Sequence, residues 1–347
     1  MSRKLFLLLF IVFLQTKVIY SQDTAKPCEG LFCSETPLNL QLELYFDSLL
    51  AGGVSEATRY NAVLKIFDNN KLVKTMHIEL SKRGHFRKFP NICDFPPLRM
   101  HFDQEQAKGT VFENLNKIKI VTHCQNNDSA FDQYVVQEYL IYKAYNLITD
   151  FSFKTRLAKI RYVDLSKSFP DVETYTFFIE NPGSLEKRLK GTCIDTKYIW
   201  PKNLDQKQYA LMTMFQYMMI NQDWSVSLAH NLELFALKPD YKILPIPFDF
   251  DMCGIIAIPY KSPTVPFKKG VKPERTFMGK DISKENIMEA VEILRKHKNE
   301  IIRIFNTSPL LTPQNRKNIV NHLTDFYDSV SDASQIARLY VGQDTNY

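Results

Sequence analysis

Glycine is scarce in this chain, 11 among 347 residues, which leaves little material for a glycine-rich phosphate loop. Tryptophan is scarcer, with 2 residues against 25 Phe and 17 Tyr. There is no CxxC pair and no Cys/His spacing of the kind that holds zinc. Beyond the first 21 residues no apolar run approaches the length needed to cross a bilayer. Internal repeats are absent too. What is present, 45% hydrophobic and 24% charged residues, excludes a disordered or collagen-like protein and supports a packed core. The formal charge of +6 makes no case for a nucleic-acid partner, because Arg3, Lys4 and Lys17 supply half of it within an acid-free stretch of 21 residues.

That stretch reads as a unit. Arg3-Lys4 precedes an apolar run from Leu5 to Leu14, followed by Gln15-Thr16-Lys17 and the small Ser21. A short basic segment, a short apolar run and a polar exit predict a secretory signal peptide over 1–21. The mature chain is then expected outside the cytoplasm (periplasmic, cell-surface or secreted) with no transmembrane segment. Cys28, Cys33, Cys93, Cys124, Cys193 and Cys253 all follow the signal, an even number that permits up to three disulfides whose pairing spacing alone does not decide. Cys28 and Cys33 are near enough to close a small loop.

Residues 22–37 read as a tether. Polar and apolar residues alternate over 39–46, 62–67, 76–80, 97–102 and 117–121, which predicts strands. Helical spacing appears over 131–148 after the plausible cap Asp128-Ser129. Strands are expected again at 156–163 and 175–180, and a largely buried helix at 206–221. Further strands follow at 232–237 and 241–250, then a proline-rich basic loop at 259–273 and helices at 284–305 and 313–339. The pattern implies an α+β, two-lobed protein: a β-rich lobe with one helix over 38–170 and a mainly helical lobe over 171–347 carrying a central hairpin.

The chemistry concentrates in Asn221-Gln222-Asp223-Trp224, His230-Asn231 and Pro247-Phe248-Asp249-Phe250-Asp251. Asp223 follows an apolar helix, where a buried carboxylate is costly without a partner. In an extended segment Asp249 and Asp251, two apart, share a face and would approach one hard cation. Asp and Asn oxygens without Cys or His suit Mg2+ or Mn2+ better than zinc. An Asp on a loop, an Asn shortly after it and an Asp closing a hairpin strand is a phosphotransferase order, in which the first handles the attacking hydroxyl and the others hold the metal. His85, His101 and His123 have no evident nucleophile beside them, so no hydrolase triad is expected.

These residues bring the chain to a family. Over roughly Leu40 to Gly254 it resembles the spore-coat H-type (CotH-like) protein kinases, of atypical kinase-like fold. Arg83-Gly84 with Arg87-Lys88 resembles the family's Arg-Gly-Asn-Ser turn and its basic continuation. Pro97 to Phe102 resembles a Pro-Tyr-Arg-hydrophobic-Lys strand, and the helix with Glu138 resembles the helix C equivalent. Asn221-Gln222-Asp223 and His230-Asn231 resemble the catalytic loop and its metal-binding Asn. Pro247 to Asp251 resembles the Pro-Trp-Asp-hydrophobic-Asp end strand. The chain departs from the pattern at His85-Phe86, at His101 where a nucleotide-contacting lysine is expected, and at Gln222 and Phe248 where the family often carries Trp. The resemblance implies an ATP- and Mg2+- or Mn2+-dependent transfer of phosphate to protein hydroxyls. Asp223 is then the catalytic base, Asn231, Asp249 and Asp251 the metal ligands, and Arg83, Arg99 and Glu138 the nucleotide-site residues, with Glu138 pairing Arg99 or Lys82. The rival expectations are a kinase-like binding or surface-assembly protein without turnover, and a metal-dependent enzyme that uses the same carboxylates without ATP.

Overall fold

The computed structural model describes residues 30–336 apart from 53–54, 85–86, 127, 257, 259–273 and 333, together with 339. The expected signal peptide, Cys28, His85 and the proline-rich loop lie outside the described residues. The chain begins with β1 (Leu38–Leu44) and α1 (Phe46–Ala51), then β2 (Tyr60–Asp68), β3 (Lys71–Lys82), β4 (Leu98–Phe102), α2 (Gln104–Ala107) and β5 (Lys117–Val121). Next come α3 (Ala130–Ile148), β6 (Thr155–Asp164), β7 (Val172–Ile179), α4 (Pro182–Leu189) and β8 (Gly191–Cys193). The remainder is α5 (Gln206–Met218), β9 (Leu232–Leu237), β10 (Lys242–Pro247), α6 (Lys284–Lys296), α7 (Lys298–Asn306) and α8 (Pro313–Ser329).

Strands β1 to β7 close into a barrel in the order β1-β2-β3-β4-β5-β7-β6. The closing pair, β1 with β6, is parallel, with Leu42 opposite Tyr162. Every other pair in the barrel is antiparallel. The alternation read from sequence fills its interior: Leu42, Leu64, Leu80, Met100, Ile118, Ile120, Ile160 and Phe178 are all buried in one cluster. This closure corrects the two-lobed, kinase-like arrangement expected above. Because β1 pairs on both sides, the N-terminal sheet has no open edge on which to build a separate lobe. The outer faces of β5, β6 and β7 also share a single apolar cluster with α3 and with the C-terminal helices, running from Val121 to Ile336.

Within that cluster α3 and α5 are buried on most of their surface, as their apolar sequences anticipate. Strands β8, β9 and β10 form a small sheet against them, with β9 central. The helix expected over 284–305 is broken at His297 into α6 and α7. No helix among the described residues is long and apolar enough to cross a membrane. A disulfide joins Cys93 to Cys124 across a sequence separation of 31, and Cys33 is also disulfide-bonded. Cys193 and Cys253 are free thiols.

One side chain fastens the end of β6 where the barrel closes. Asp164, fully buried, accepts from the backbone N–H groups of Phe46 (3.1 Å), Ser166 (3.2 Å), Ser168 (2.8 Å) and Phe169 (3.0 Å), and from the Ser166 hydroxyl (2.6 Å). Burial alone would raise its pKa, but these hydrogen bonds outweigh it and hold the carboxyl well below the usual range. Asp164→Ala should therefore cost about 3 kcal/mol, read from urea unfolding at neutral pH, since it orphans one buried and four part-buried donors at once. A depressed folded-state pKa gives stability that is present above the unfolded value, about 3.9, and lost as pH falls through the folded one. The acid side of the wild-type stability profile should accordingly be steeper than that of the variant. Equal acid slopes would remove Asp164 as the cause.

Candidate functional site

The residues singled out in sequence meet where the barrel rim, α3 and the turn after β10 come together. Strand β3 ends at Lys82, and Gly84, at φ +81°, bends the chain away in a conformation that favours glycine. Arg83 is thereby set between strands. Its Nε donates to the Leu98 carbonyl and one Nη to that of Ile120, both at 3.2 Å. Arg87 donates to the Thr122 carbonyl at 2.6 Å and lies 3.7 Å from the Asp251 carboxylate. The Cys93–Cys124 disulfide ties the Arg87-bearing loop to the segment after β5. Across β3, β4 and β5, Ser81, Arg99 and Lys119 occupy one cross-strand row. Arg99 pairs with Glu56 at 3.1 Å, whereas the Lys119 ammonium lies 5.5 Å from the Phe248 ring centroid. Burial lowers the Lys119 pKa, with Arg83 and Arg99 adding to it and the Asp249 charge opposing them.

Helix α3 presents Glu138 and Tyr142, one turn apart on the same face, to the turn after β10. The Tyr142 hydroxyl accepts from the Asp249 N–H at 2.8 Å, and the Tyr142 ring packs edge-on against Phe250 at 4.8 Å. Strand β10 stops at Pro247, and Asp249 sits in the left-handed region at φ +61°. The segment is therefore not extended through Asp251, and the two carboxylates do not share a strand face. Asp249 is exposed, while Asp251 is buried toward Arg87.

Asp223 follows α5 after a sharp turn. Its N–H donates to Asn221 Oδ1 at 3.0 Å, and Asn221 is in turn held by Gln216 at 2.9 Å. The buried Asp223 carboxylate meets His230 Nε2 at 3.0 Å and accepts from Asn231 Nδ2 at 3.1 Å; the same Nδ2 reaches the Asp223 carbonyl at 2.7 Å. With Nδ2 donating, Oδ1 is the atom Asn231 offers to a cation.

Glu138 makes neither pairing expected of it. Arg99 is engaged by Glu56, and Lys82 Nζ donates to the carbonyls of Leu50 (3.3 Å) and Gly52 (2.6 Å). Glu138 is 2% exposed and its Oε1 has no hydrogen-bond partner. Burial and then the charges of Asp251 and Asp249 push its pKa well up, against Arg87 and Arg83. Neither Arg83 nor Arg87 donates a hydrogen bond to Glu138, so the neutral acid is the form this site favours. His123 and His101 are likewise kept neutral, each pushed down to about 4 chiefly by burial.

Among the described residues no three His, Cys, Asp or Glu form a group that would hold a metal ion unaided. A cation that takes most of its oxygens from phosphates needs only one or two carboxylates from the protein, and the exposed Asp249 beside Asn231 fits that more modest demand. Lys119 and Tyr142 were missed in sequence. Lys119 shows only as the outward residue of an alternating strand, and Tyr142 as one apolar-face residue among many.

No family model matches the chain, and no curated protein does. The spore-coat H-type resemblance thus rests on the quoted motifs alone. Among solved structures the chain is similar to a Helicobacter pylori proinflammatory kinase, CtkA, at 9% identity and a TM-score of 0.39, over 73% of this chain and 96% of that one.

A carboxyl whose folded-state pKa is raised costs stability as pH climbs above its unfolded value, about 4.3. Glu138→Gln should therefore unfold at a temperature about 2 °C or more above wild type at pH 8, with the gain fading toward pH 4. Calorimetric scans across that range check this. A variant less stable than wild type at pH 8 would show instead that Glu138 is ionised and held by its arginines.

Proposed function

We propose that the protein is an exported phosphotransferase that moves a phosphoryl group from ATP to a hydroxyl of another protein, assisted by Mg2+ or Mn2+. The observation that carries this reading is the opposition of two sets of side chains at one rim. A cationic set, Arg83, Arg87, Arg99 and Lys119, stands on the barrel, and an oxygen set, Asn231, Asp249 and Asp223, stands on the turns after α5 and β10. Arginine matches phosphate oxygens through paired N–H donors, and a partly desolvated lysine adds a point charge. ATP with its divalent cation supplies the transferable phosphoryl group and neutralises charge on the β- and γ-oxygens.

On this reading Arg99 and Lys119 hold phosphate oxygens from the barrel side, and Arg83 supplies fixed positive charge behind them. Asp249 and Asn231 provide the protein's oxygens to the cation, with Asp251 held behind them by Arg87. Asp223 orients the acceptor hydroxyl and takes its proton as the new P–O bond forms and the bond to the departing diphosphate breaks. His230 and Asn231 fix the carboxylate for that task. The motifs that resemble the spore-coat H-type kinases support the same assignment.

The test is calorimetric titration of the mature chain with ATP and Mn2+, beside Asp249→Asn and Asp223→Asn. Wild type should bind in a metal-dependent way. Asp249→Asn should lose about tenfold or more in affinity, since a charged ligand becomes neutral. Asp223→Asn should retain binding but transfer phosphate at least about a hundredfold more slowly. Folded wild type that ignores ATP would overturn the proposal. Binding without any transfer would leave a kinase-like binding protein in its place.

A further inference from the structure

Asp223 and His230 also border a pocket of about 480 Å³ whose lining contains none of the cationic row. Its walls come from two short segments. One is the turn 225–230, closed by the paired N–H to carbonyl bonds of Ser225 and His230 at 3.1 and 2.9 Å, with Leu228 at its tip. The other is the exposed stretch after β8, fastened to that turn by the Tyr198 N–H donating to the Ser227 carbonyl at 2.6 Å. Tyr198 is 77% exposed and held at φ +64°, a conformation a tyrosine adopts only when its surroundings impose it. Beyond the pocket, on the same stretch, Trp200 is 67% exposed, and Leu228 in the pocket lining is 56% exposed. Backbone strain of this kind clusters at ligand clamps, which makes the pocket a candidate ligand site.

The polar atoms of the pocket narrow the chemistry of that ligand. Gln222 Nε2 already donates to the Glu274 carbonyl at 3.1 Å, and Ser225 Oγ is paired with Ser227 Oγ at 3.2 Å. A ligand therefore meets Asp223 and His230, the apolar side chains of Tyr198, Trp224 and Leu228, and one cation, Lys197. A polyhydroxylated sugar would lose hydrogen bonds to water here without replacing them. A peptide with one hydroxyl side chain, an apolar or aromatic neighbour and an acidic residue meets all three features: the Asp223 carboxylate, the Tyr198 and Leu228 side chains and Lys197.

We infer that this pocket is the acceptor site, built for a hydroxyl-bearing peptide segment with an aromatic or aliphatic side chain and an acidic residue flanking the hydroxyl. The inference rests on the phosphotransferase reading for the role of Asp223, but peptide binding does not require it. Both tryptophans of the chain lie here, Trp224 in the wall and Trp200 beyond it, so intrinsic fluorescence reports on the pocket directly.

The experiment titrates the full mature chain, without nucleotide, with a short synthetic peptide carrying one serine between a phenylalanine and an aspartate. The expected result is a saturable change in tryptophan emission. It should weaken about tenfold in Tyr198→Asn, which removes the ring but keeps a residue at ease at positive φ, and similarly in Lys197→Glu. A peptide with lysine in place of the aspartate should bind more weakly. No change with folded wild type, equal affinity in both variants, or preferential response to an oligosaccharide would each overturn the assignment. Peptide binding in a protein that ignores ATP would uphold the pocket while removing the phosphotransferase reading. ATP binding without peptide binding would do the reverse.

Discussion

Helix α3 lies between two bodies of structure that both need it. Closing the barrel leaves the outward side chains of β5, β6 and β7 without cover, and the C-terminal helices have an apolar surface of their own to bury. Val136, Tyr142, Ala144 and Tyr145 are almost wholly inaccessible because α3 serves both. A helix apolar on nearly every side has no free face, so any polar group it carries is committed to whatever lies opposite. Glu138 and the Tyr142 hydroxyl are two of those groups, and opposite them is the turn bearing Asp249 and Asp251. The position of that turn follows from the packing of α3, through one hydrogen bond to the Asp249 N–H and the Tyr142–Phe250 ring pair.

The electrostatics of the rim follow from the same burial. Taken as separate pairs, the arginines and carboxylates would be ordinary ion pairs of modest worth. Here most are partly removed from water, and desolvation is the first influence on Arg83, Lys119 and Glu138 alike. Desolvation sets the direction of the shift at all three, and at Glu138 neither arginine offers a hydrogen bond against it. Asp249, exposed and with its own N–H already held, keeps a carboxylate facing solvent that a cation or a phosphate-bound ion can approach. A rim whose part-buried arginines, Glu138 and Asp251 are fixed from behind while Asp249 faces solvent keeps its arrangement through contacts of its own.

Much of this was legible in the sequence where local pattern decides local structure. The alternation of Leu40, Leu42 and Leu44 and the helical spacing from Phe131 to Ile148 read through directly to β1 and α3. The strand expected over 232–237 likewise reads through to β9. Barrel closure was not legible, because the β1–β6 pairing joins Leu38 to Ala158 and no local pattern records a partner that distant. The expected two-lobed arrangement failed on that one pairing. Asp164 shows in sequence only as the residue after an expected strand, although five donors converge on it. The Cys93–Cys124 pairing is hidden for the same reason as the barrel closure. The i, i+2 argument for Asp249 and Asp251 failed because it assumed that the strand continues past Pro247.

The turns around Asp223 give a physical reason why that last assumption was weak. Ile220, Ala229, Asn231 and Asp249 all occupy the left-handed region, as does Tyr198 on the neighbouring stretch. Asn and Asp tolerate this conformation, but a β-branched isoleucine and a tyrosine do so only at a cost of about 1–3 kcal/mol each. Ile220 is compensated by deep burial in the main apolar cluster and by the Gly254 N–H, which donates to its carbonyl at 2.9 Å. That bond links the end of α5 to the end of the Asp249 turn, so the strain at Ile220 is the condition for bringing Asp223 and Asp249 to one rim. Regular strand or helix through either segment would remove the strain and carry the two carboxylates apart.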